Sequence, residues 1–186
     1  MAMPAPVRRW TREDLLALPD DGNRYELVAG QLLVTPAPRW SHQDAVIGLI
    51  RLLDPFVRTH AIGHLLTSPA DLQLRPGEWY QPDLFVVPLI DGRRPRDWDE
   101  VRTPRLVVEV SSPSTARYDR AIKRPAFQEA GVEEFWVVDL DARLVERWRP
   151  TESRPEVLVR HLRWQPDGVP LPLEIDLRQF FAEVLD

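Results

Sequence analysis

Apolar residues recur along the chain with two different periods, and each period predicts one class of element. Short alternating or continuous apolar runs predict strands at 24–28, 31–35, 62–67, 71–74, 81–88, 106–110, 134–139, 144–149 and 157–164. Apolar residues at helical spacing predict helices at 12–18, 41–58, 114–130 and 177–185. Strands and helices therefore alternate in one fold, and the long second helix is expected to pack on a sheet.

Capping and turn residues set several of these boundaries. Thr11 is expected to cap the first helix, because its hydroxyl can accept a bond from a free amide of the first turn. The dipeptide Ala29-Gly30 is expected to close a hairpin between the first two strands. The polar connection 91–104 is long enough to suggest a functional loop.

The third helix carries a proline that limits where it can begin. Ser114 or Thr115 can open the helix, and Gly131 can stop it in the left-handed conformation. Pro125 lacks an amide hydrogen and fits only a first turn, so the regular helix is expected to begin near Ile122.

Three carboxylates lie on or beside predicted strands. Glu109 interrupts a nearly continuous apolar run and faces the same way as Val107, which predicts that it is buried. Asp83 stands at the mouth of its strand, and Glu26 shares a strand face with Val28. A buried carboxylate needs a compensating charge, so these residues are candidates for a site.

Lys123 is the only lysine in a chain that has 24 lysine and arginine residues together. Carboxylates that converge with a carbonyl and water suit Mg²⁺, which prefers octahedral oxygen ligands. A lysine beside such an ion can orient an attacking water or stabilise negative charge, and arginine does not replace it as a compact point charge. Asp83, Glu109 and Lys123 together therefore predict a metal site for phosphoester hydrolysis.

Several motifs occur in a fixed order: Tyr25-Glu-Leu-Val28, Pro82-Asp-Leu84, Leu106-Val-Val-Glu-Val-Ser-Ser-Pro-Ser-Thr115, Asp119-Arg120, Lys123 and Ala130-Gly-Val-Glu-Glu-Phe-Trp-Val-Val-Asp139. Taken together, they resemble the Uma-type restriction endonucleases of the PD-(D/E)xK nuclease superfamily over about residues 10 to 180. The resemblance implies an α/β fold with a restriction-endonuclease-like core, in which helices flank a mixed β-sheet.

The resemblance also implies roles for individual residues. Asp83, Glu109 and the backbone carbonyl of Val110 would bind the metal, with Glu26 as a further acidic member of the site. Lys123 would be the catalytic lysine. The usual E-x-K spacing of the superfamily would put that lysine where this chain has a serine, so Lys123 must reach the site from the following helix.

Each of these four residues also has a purely structural interpretation. Glu109 could be a buried carboxylate paired with an arginine, and Asp83 could be a turn aspartate. Glu26 could face an arginine across the hairpin. Lys123 could be a lysine retained by chance in an arginine-rich chain.

Four further residues near the expected site are candidates for substrate binding. His42 stands at a helix start, where a capping or surface role competes with one in the site. Arg117, Arg120 and Arg124 could hold phosphates, but the arginine-rich composition explains them equally well.

Composition narrows the class of protein. A chain of 186 residues suits one domain over 1–186, with residues 1–10 as a flexible N-terminus. The sequence has no apolar run long enough to cross a membrane, no signal-like N-terminal segment and no cysteine, so we expect a cytoplasmic protein without membrane partners. The net charge of −5 means that any DNA contact must be local.

The function that these features favour is a Mg²⁺-dependent endonuclease that hydrolyses DNA, with Mn²⁺ as a substitute metal and nucleic acid as the partner. Cutting of both strands would suit a homodimer with two sites. Two alternatives stay open: a catalytically inert module that binds nucleic acid or protein, and a hydrolase of small phosphodiesters.

Overall fold

The computed structural model describes residues 9–28, 30–113 and 115–186. Most of the expected flexible N-terminus therefore lies outside the described residues. The same holds for Ala29 of the hairpin loop and for Ser114, one of the two residues expected to open the third helix. Trp10 is described, and its amide donates to the carbonyl of Gly30 at 2.9 Å.

The described chain contains strands that we number in chain order. They are β1 Arg24–Val28, β2 Gln31–Thr35, β3 Gly63–Thr67, β4 Leu72–Arg75, β5 Glu78–Tyr80, β6 Leu84–Pro88, β7 Leu106–Ser111, β8 Glu134–Asp139, β9 Leu144–Trp148, β10 Glu156–Leu158, β11 His161–Trp164 and β12 Leu173–Asp176. The helices are α1 Arg12–Leu16, α2 Trp40–Thr59, α3 Ala116–Tyr118, α4 Arg124–Glu129 and α5 Leu177–Leu185, with a π-helical turn at Asp119–Lys123 and a 3₁₀ turn at Trp98–Glu100.

A six-stranded mixed sheet forms the centre of the fold. Its strand order is β10-β9-β8-β7-β6-β3, in which β7 and β8 run parallel and the other neighbours run antiparallel. The helical segment that contains α3, the π-helical turn and α4 makes the crossover between the parallel strands, as parallel pairing requires. A separate antiparallel sheet has the order β2-β1-β5-β4, and β11 pairs with β12.

The central sheet has a different environment on each face. One face packs against α2, α5, β11 and β12 through Leu106, Val108 and Val110 of β7. Val107 faces the other way and packs with Phe127 of α4 and with residues of the four-stranded sheet. Side chains alternate along a strand, so Glu109 belongs to the second face.

Residue chemistry explains the helix boundaries near this second face. Thr11 caps α1, and it forms a reciprocal pair of hydrogen bonds with Asp14. Pro125 lies in the first turn of α4, and Gly131 follows that helix with a φ of 81°. These three positions agree with the sequence prediction.

The prediction of α/β class and of a mixed sheet flanked by helices is confirmed. Three details were wrong. The expected strand 157–164 is two strands in different sheets, since β10 pairs with β9 and β11 pairs with β12. The strands β5 and β12 had no clear apolar pattern and were not predicted. The expected helix 114–130 is divided by the π-helical turn.

No helix in the described chain has the length and apolarity needed to span a bilayer.

Candidate active site

One buried ammonium joins two of the three predicted carboxylates. Nζ of Lys123 lies 2.9 Å from Oε2 of Glu26 and 3.1 Å from Oε1 of Glu109. It also lies 3.8 Å from Oδ1 of Asp119, which stands four positions earlier in the chain. All four side chains are at least 98% buried.

The topology explains how these residues meet. Glu109 lies on β7 and Lys123 on the π-helical turn of the crossover that leaves β7 and returns to β8. Glu26 comes from β1 of the other sheet, which faces the same side of the central sheet. Its Oε1 accepts the amide hydrogen of Gln81 at 2.7 Å, so the segment that leads to Asp83 is attached to the same carboxylate.

Asp83 lies directly before β6, and three partners hold its carboxylate. Its Oδ2 accepts the amide hydrogen of Val110 at 2.8 Å, which ties the start of β6 to the end of β7. Its Oδ1 lies 2.6 Å from Nη1 of Arg24 and 3.3 Å from Nε2 of His42. The backbone carbonyl of Asp83 accepts from the Thr67 hydroxyl at 2.8 Å.

The surroundings shift the pKa values of these groups in different directions. Burial raises the pKa of Asp83, but hydrogen bonds and charge from His42 and Arg24 outweigh it and lower that pKa to about 2. Burial raises the pKa of Glu109 well above its usual range, and nearby carboxylates add to the effect while Lys123 opposes it. Burial lowers the pKa of Lys123, yet Glu109, Glu26 and Asp119 together raise it above its usual range.

The cluster has more acidic than basic groups. Four carboxylates (Glu26, Asp83, Glu109 and Asp119) face two permanently charged bases, Arg24 and Lys123. If all carboxylates are ionised, the excess is two negative charges, which equals the charge of one divalent cation. Burial also raises the pKa of Asp119, as expected where carboxylates outnumber their counter-ions.

One oxygen of the cluster lacks a hydrogen bond. Oε2 of Glu26 is buried and lies close to the Lys123 ammonium, but the pair does not have hydrogen-bond geometry. A buried oxygen that makes only a charge contact is an available acceptor or metal ligand.

An open pocket of about 600 Å³ leads from solvent to this cluster. Its lining includes Asp83, Val110, Arg24 and His42, whereas Glu26, Glu109 and Lys123 do not line it. Its mouth includes Arg39 at the start of α2. The pocket therefore reaches two of the predicted metal-binding residues, Asp83 and Val110, whereas Glu109 and Glu26 do not line it.

Three predicted substrate-binding arginines do not come to the pocket. Arg120 pairs with Asp139 at 2.9 Å and with Glu146 at 2.8 Å, and Arg124 lies over the Trp148 ring at 4.5 Å. Arg117 is exposed and is not part of the pocket wall. The residues after β7 wind into helical turns, and these turns direct the arginines towards β8, β9 or solvent.

The sequence analysis did not select two charged members of the site, although both carried a signal. Arg24 stands two positions before Glu26 on β1, so both side chains belong to the same strand face. Asp119 stands one turn before Lys123, a spacing that brings helical side chains together. His42, which was selected, lies beside Asp83.

The donor set has the oxygen chemistry that Mg²⁺ or Mn²⁺ requires, but its oxygens have other partners in this arrangement. Asp83 binds Arg24 and His42, and Glu109 binds Lys123. Among the residues that the structure describes, no three His, Cys, Asp or Glu side chains converge on one position suited to a metal ion. The excess of carboxylates over bases and the Glu26 oxygen that lacks a hydrogen bond fit a divalent cation.

Comparison with known proteins identifies a matching family and a similar solved structure. A family model, Uma2, described as "Putative restriction endonuclease", matches residues 12–179. The chain is also similar to the crystal structure of a putative nuclease belonging to DUF820 from Anabaena variabilis ATCC 29413. The sequences are 23% identical, the match covers 95% of this chain and 99% of that chain, and the TM-score is 0.68. At this identity the likeness shows a shared fold. No curated protein matches the chain.

Proposed function

Because the chain belongs to the Uma2 family of putative restriction endonucleases, we propose that it is a Mg²⁺-dependent endonuclease that hydrolyses phosphodiester bonds of DNA. One observation carries the proposal: three buried carboxylates surround a buried lysine, and a fourth buried carboxylate, Asp83, lines an open pocket beside them. Perturbed titratable groups beside a cleft are typical of catalytic sites.

Asp83, Glu109 and the Val110 carbonyl would hold the metal, with Glu26 as a further acidic neighbour. When bound, a divalent cation supplies two effects: it lowers the pKa of water and compensates the charge of a phosphodiester. Mn²⁺ would substitute for Mg²⁺, because both accept oxygen ligands in octahedral geometry.

The protein's own residues would orient the reactants. The Val110 amide and His42 fix the two oxygens of Asp83, so that carboxylate has one preferred orientation. Lys123 would fix Glu109 and position the attacking water, because its ammonium can donate to both. Arg39 at the pocket mouth provides a charge for a substrate phosphate.

The direct test is cleavage of plasmid DNA, single-stranded DNA, RNA and a small chromogenic phosphodiester by the purified chain. We expect cleavage of DNA with Mg²⁺ or Mn²⁺, none in EDTA, and a loss of activity in Asp83→Asn. Glu134→Gln is the matched control, because Glu134 is a buried glutamate of the same sheet outside the pocket.

Other results would assign a different function. If only the small phosphodiester is hydrolysed, the chain is a small-molecule hydrolase. If no substrate is cleaved in any metal and Asp83→Asn behaves like wild type, the endonuclease proposal is wrong. Nucleic-acid binding without cleavage would then support an inert module that has retained the fold.

The proposal includes an assembly and a location. Cutting of both strands would use two pockets, so we propose that a homodimer acts on duplex DNA in the cytoplasm. Analytical ultracentrifugation with and without DNA measures the assembly, and a monomer in both conditions would restrict the enzyme to single cuts.

A further inference from the structure

Arg24 lies where the pocket meets the acidic cluster. Its side chain lines the pocket together with Asp83, whereas Glu26, Glu109 and Lys123 do not line it. Nη1 of Arg24 lies 2.6 Å from Oδ1 of Asp83 and donates to the Gln81 carbonyl at 3.1 Å. The guanidinium is therefore held at the carboxylate that would bind the metal.

The charge of the guanidinium interacts with three of the four carboxylates. Burial lowers the pKa of Arg24, but Asp83, Glu109 and Glu26 together raise it above its usual range. Arg24 thus provides a permanent positive charge where the carboxylates are in excess. It supplies part of the compensation that a divalent cation would supply.

One donor of Arg24 has no partner. Nε is buried and makes no hydrogen bond, although the side chain lies on the wall of an open pocket. A guanidinium with a free N–H can bind a phosphate oxygen in the paired geometry that arginine favours. The free donor therefore indicates a ligand with oxygen acceptors.

We infer that the Arg24 guanidinium and the metal ion compete for Asp83, and that Arg24 binds a phosphate of the nucleic acid once the ion is bound. This inference rests on the proposed function, since it assigns a positioning residue to the same site. Arg24 already contacts Oδ1 of Asp83 at 2.6 Å, and a divalent ion on that carboxylate would repel the buried guanidinium, so we expect ion binding to displace it. The displaced guanidinium of Arg24, which lies on β1, could then donate to the oxygens of a phosphate bound in the pocket.

The exchange gives Arg24 two opposite effects. Without substrate, Arg24 weakens metal binding because its contact with Asp83 must first break. With substrate, Arg24 strengthens nucleic-acid binding because it contributes a phosphate contact. A residue with only a structural role would not produce both effects.

The test measures Mn²⁺ binding by titration calorimetry in the absence of nucleic acid. We expect Arg24→Gln to bind Mn²⁺ about tenfold more tightly than wild type, a typical size for coupling between competing ligands. Arg147→Gln is the matched control: Arg147 is also largely buried and paired with a carboxylate, Glu156, but it lies outside the pocket. This control should bind Mn²⁺ like wild type.

A second variant and a second measurement cover a failure of Arg24→Gln to fold. Arg24→Lys retains the positive charge, so it should bind Mn²⁺ like wild type but bind DNA more weakly when Ca²⁺ replaces Mg²⁺. In wild type, the Nε–H nuclear magnetic resonance signal of Arg24, assigned with Arg24→Lys, should shift when Mg²⁺ is added.

The outcomes separate this inference from the proposed function. If Arg24→Gln binds Mn²⁺ no more tightly than wild type while Glu109→Gln loses binding, the metal site stands and the competition is wrong. If wild type, Arg24→Gln and Arg24→Lys all fail to bind Mn²⁺, the metal site itself is wrong. An Nε–H signal that does not respond to bound Mg²⁺ would also contradict the competition.

Discussion

Two buried glutamates on neighbouring parallel strands, Glu109 of β7 and Glu134 of β8, have very different surroundings. Glu134 accepts from the Trp136 indole at 2.8 Å and lies 3.4 Å from the Arg149 guanidinium. Glu109 shares one lysine with two other carboxylates and lies near a fourth. Burial alone therefore does not indicate a site.

The difference lies in the charge that surrounds each carboxylate. Glu134 has local partners that satisfy one negative charge, so it needs nothing from outside the protein. The cluster around Glu109 has more carboxylates than bases, and a pocket lined by Asp83 leads to it. An excess of charge beside an accessible pocket distinguishes a candidate site from a structural ion pair.

The largest expected effect comes from removing the shared cation. Lys123→Met leaves three buried carboxylates without their ammonium, so we expect the free energy of unfolding to fall by about 3–5 kcal/mol and cleavage to be lost. Arg149→Met, on the Glu134 side, should cost about 1 kcal/mol or less because Arg149 is 41% exposed. Urea denaturation at neutral pH measures both, and equal losses would contradict the comparison.

Replacing each glutamate by glutamine should separate activity from stability. Glu109→Gln should lower cleavage about a hundredfold or more, because it removes a proposed metal ligand. It should not destabilise the metal-free protein, because one charge of the excess is removed. Glu134→Gln should keep full activity and lose about 1 kcal/mol, since its bonds to Trp136 and Arg149 weaken. Cleavage assays and denaturation on the same preparations provide the measurement.

The pH dependence of stability in EDTA should differ between the two sites. The folded pKa of Glu109 is raised above its ordinary value of 4.5, so the folded state binds the proton more tightly than the unfolded chain. The contribution of this tighter proton binding to folding stability is fully present below pH 4.5, the ordinary value. It is lost as the pH rises through the raised folded pKa. Wild type should therefore lose stability relative to Glu109→Gln as the pH rises from 4.5 through the raised folded pKa. A constant difference over this range would contradict the raised pKa.

The smallest effect is a partial rescue. Ser111 lies two positions after Glu109 on β7, so both side chains share a strand face, and its buried hydroxyl has no hydrogen-bond partner. A lysine at this position would reach the site from the strand instead of the crossover. Ser111→Lys should restore a few per cent of cleavage to Lys123→Met. Ser112→Lys should restore none, because successive side chains of an extended chain face opposite sides.

Much of this site could be predicted because strand alternation and residue chemistry are local signals. The apolar run around Glu109 indicated a central strand and the face on which the carboxylate lies. The single lysine in an arginine-rich chain marked Lys123. Both inferences need only neighbouring residues and composition.

Other contacts could not be predicted because their partners are distant in sequence. Arg120 pairs with Asp139 and Glu146 only because the crossover packs on β8 and β9. Arg24 reaches Asp83 only because the four-stranded sheet packs over the central sheet. The π-helical turn that carries Lys123 leaves no periodic pattern in so short a segment.

The central claim is that Asp83 and Glu109 bind one divalent cation, and a crystal soaked in Mn²⁺ tests it most directly. We predict an anomalous peak about 2.1 Å from oxygens of Asp83, Glu109 and the Val110 carbonyl, with the Arg24 guanidinium turned away from Asp83. A crystal with Mn²⁺ bound elsewhere, and with Arg24 still on Asp83 and Lys123 still on Glu109, would contradict the account.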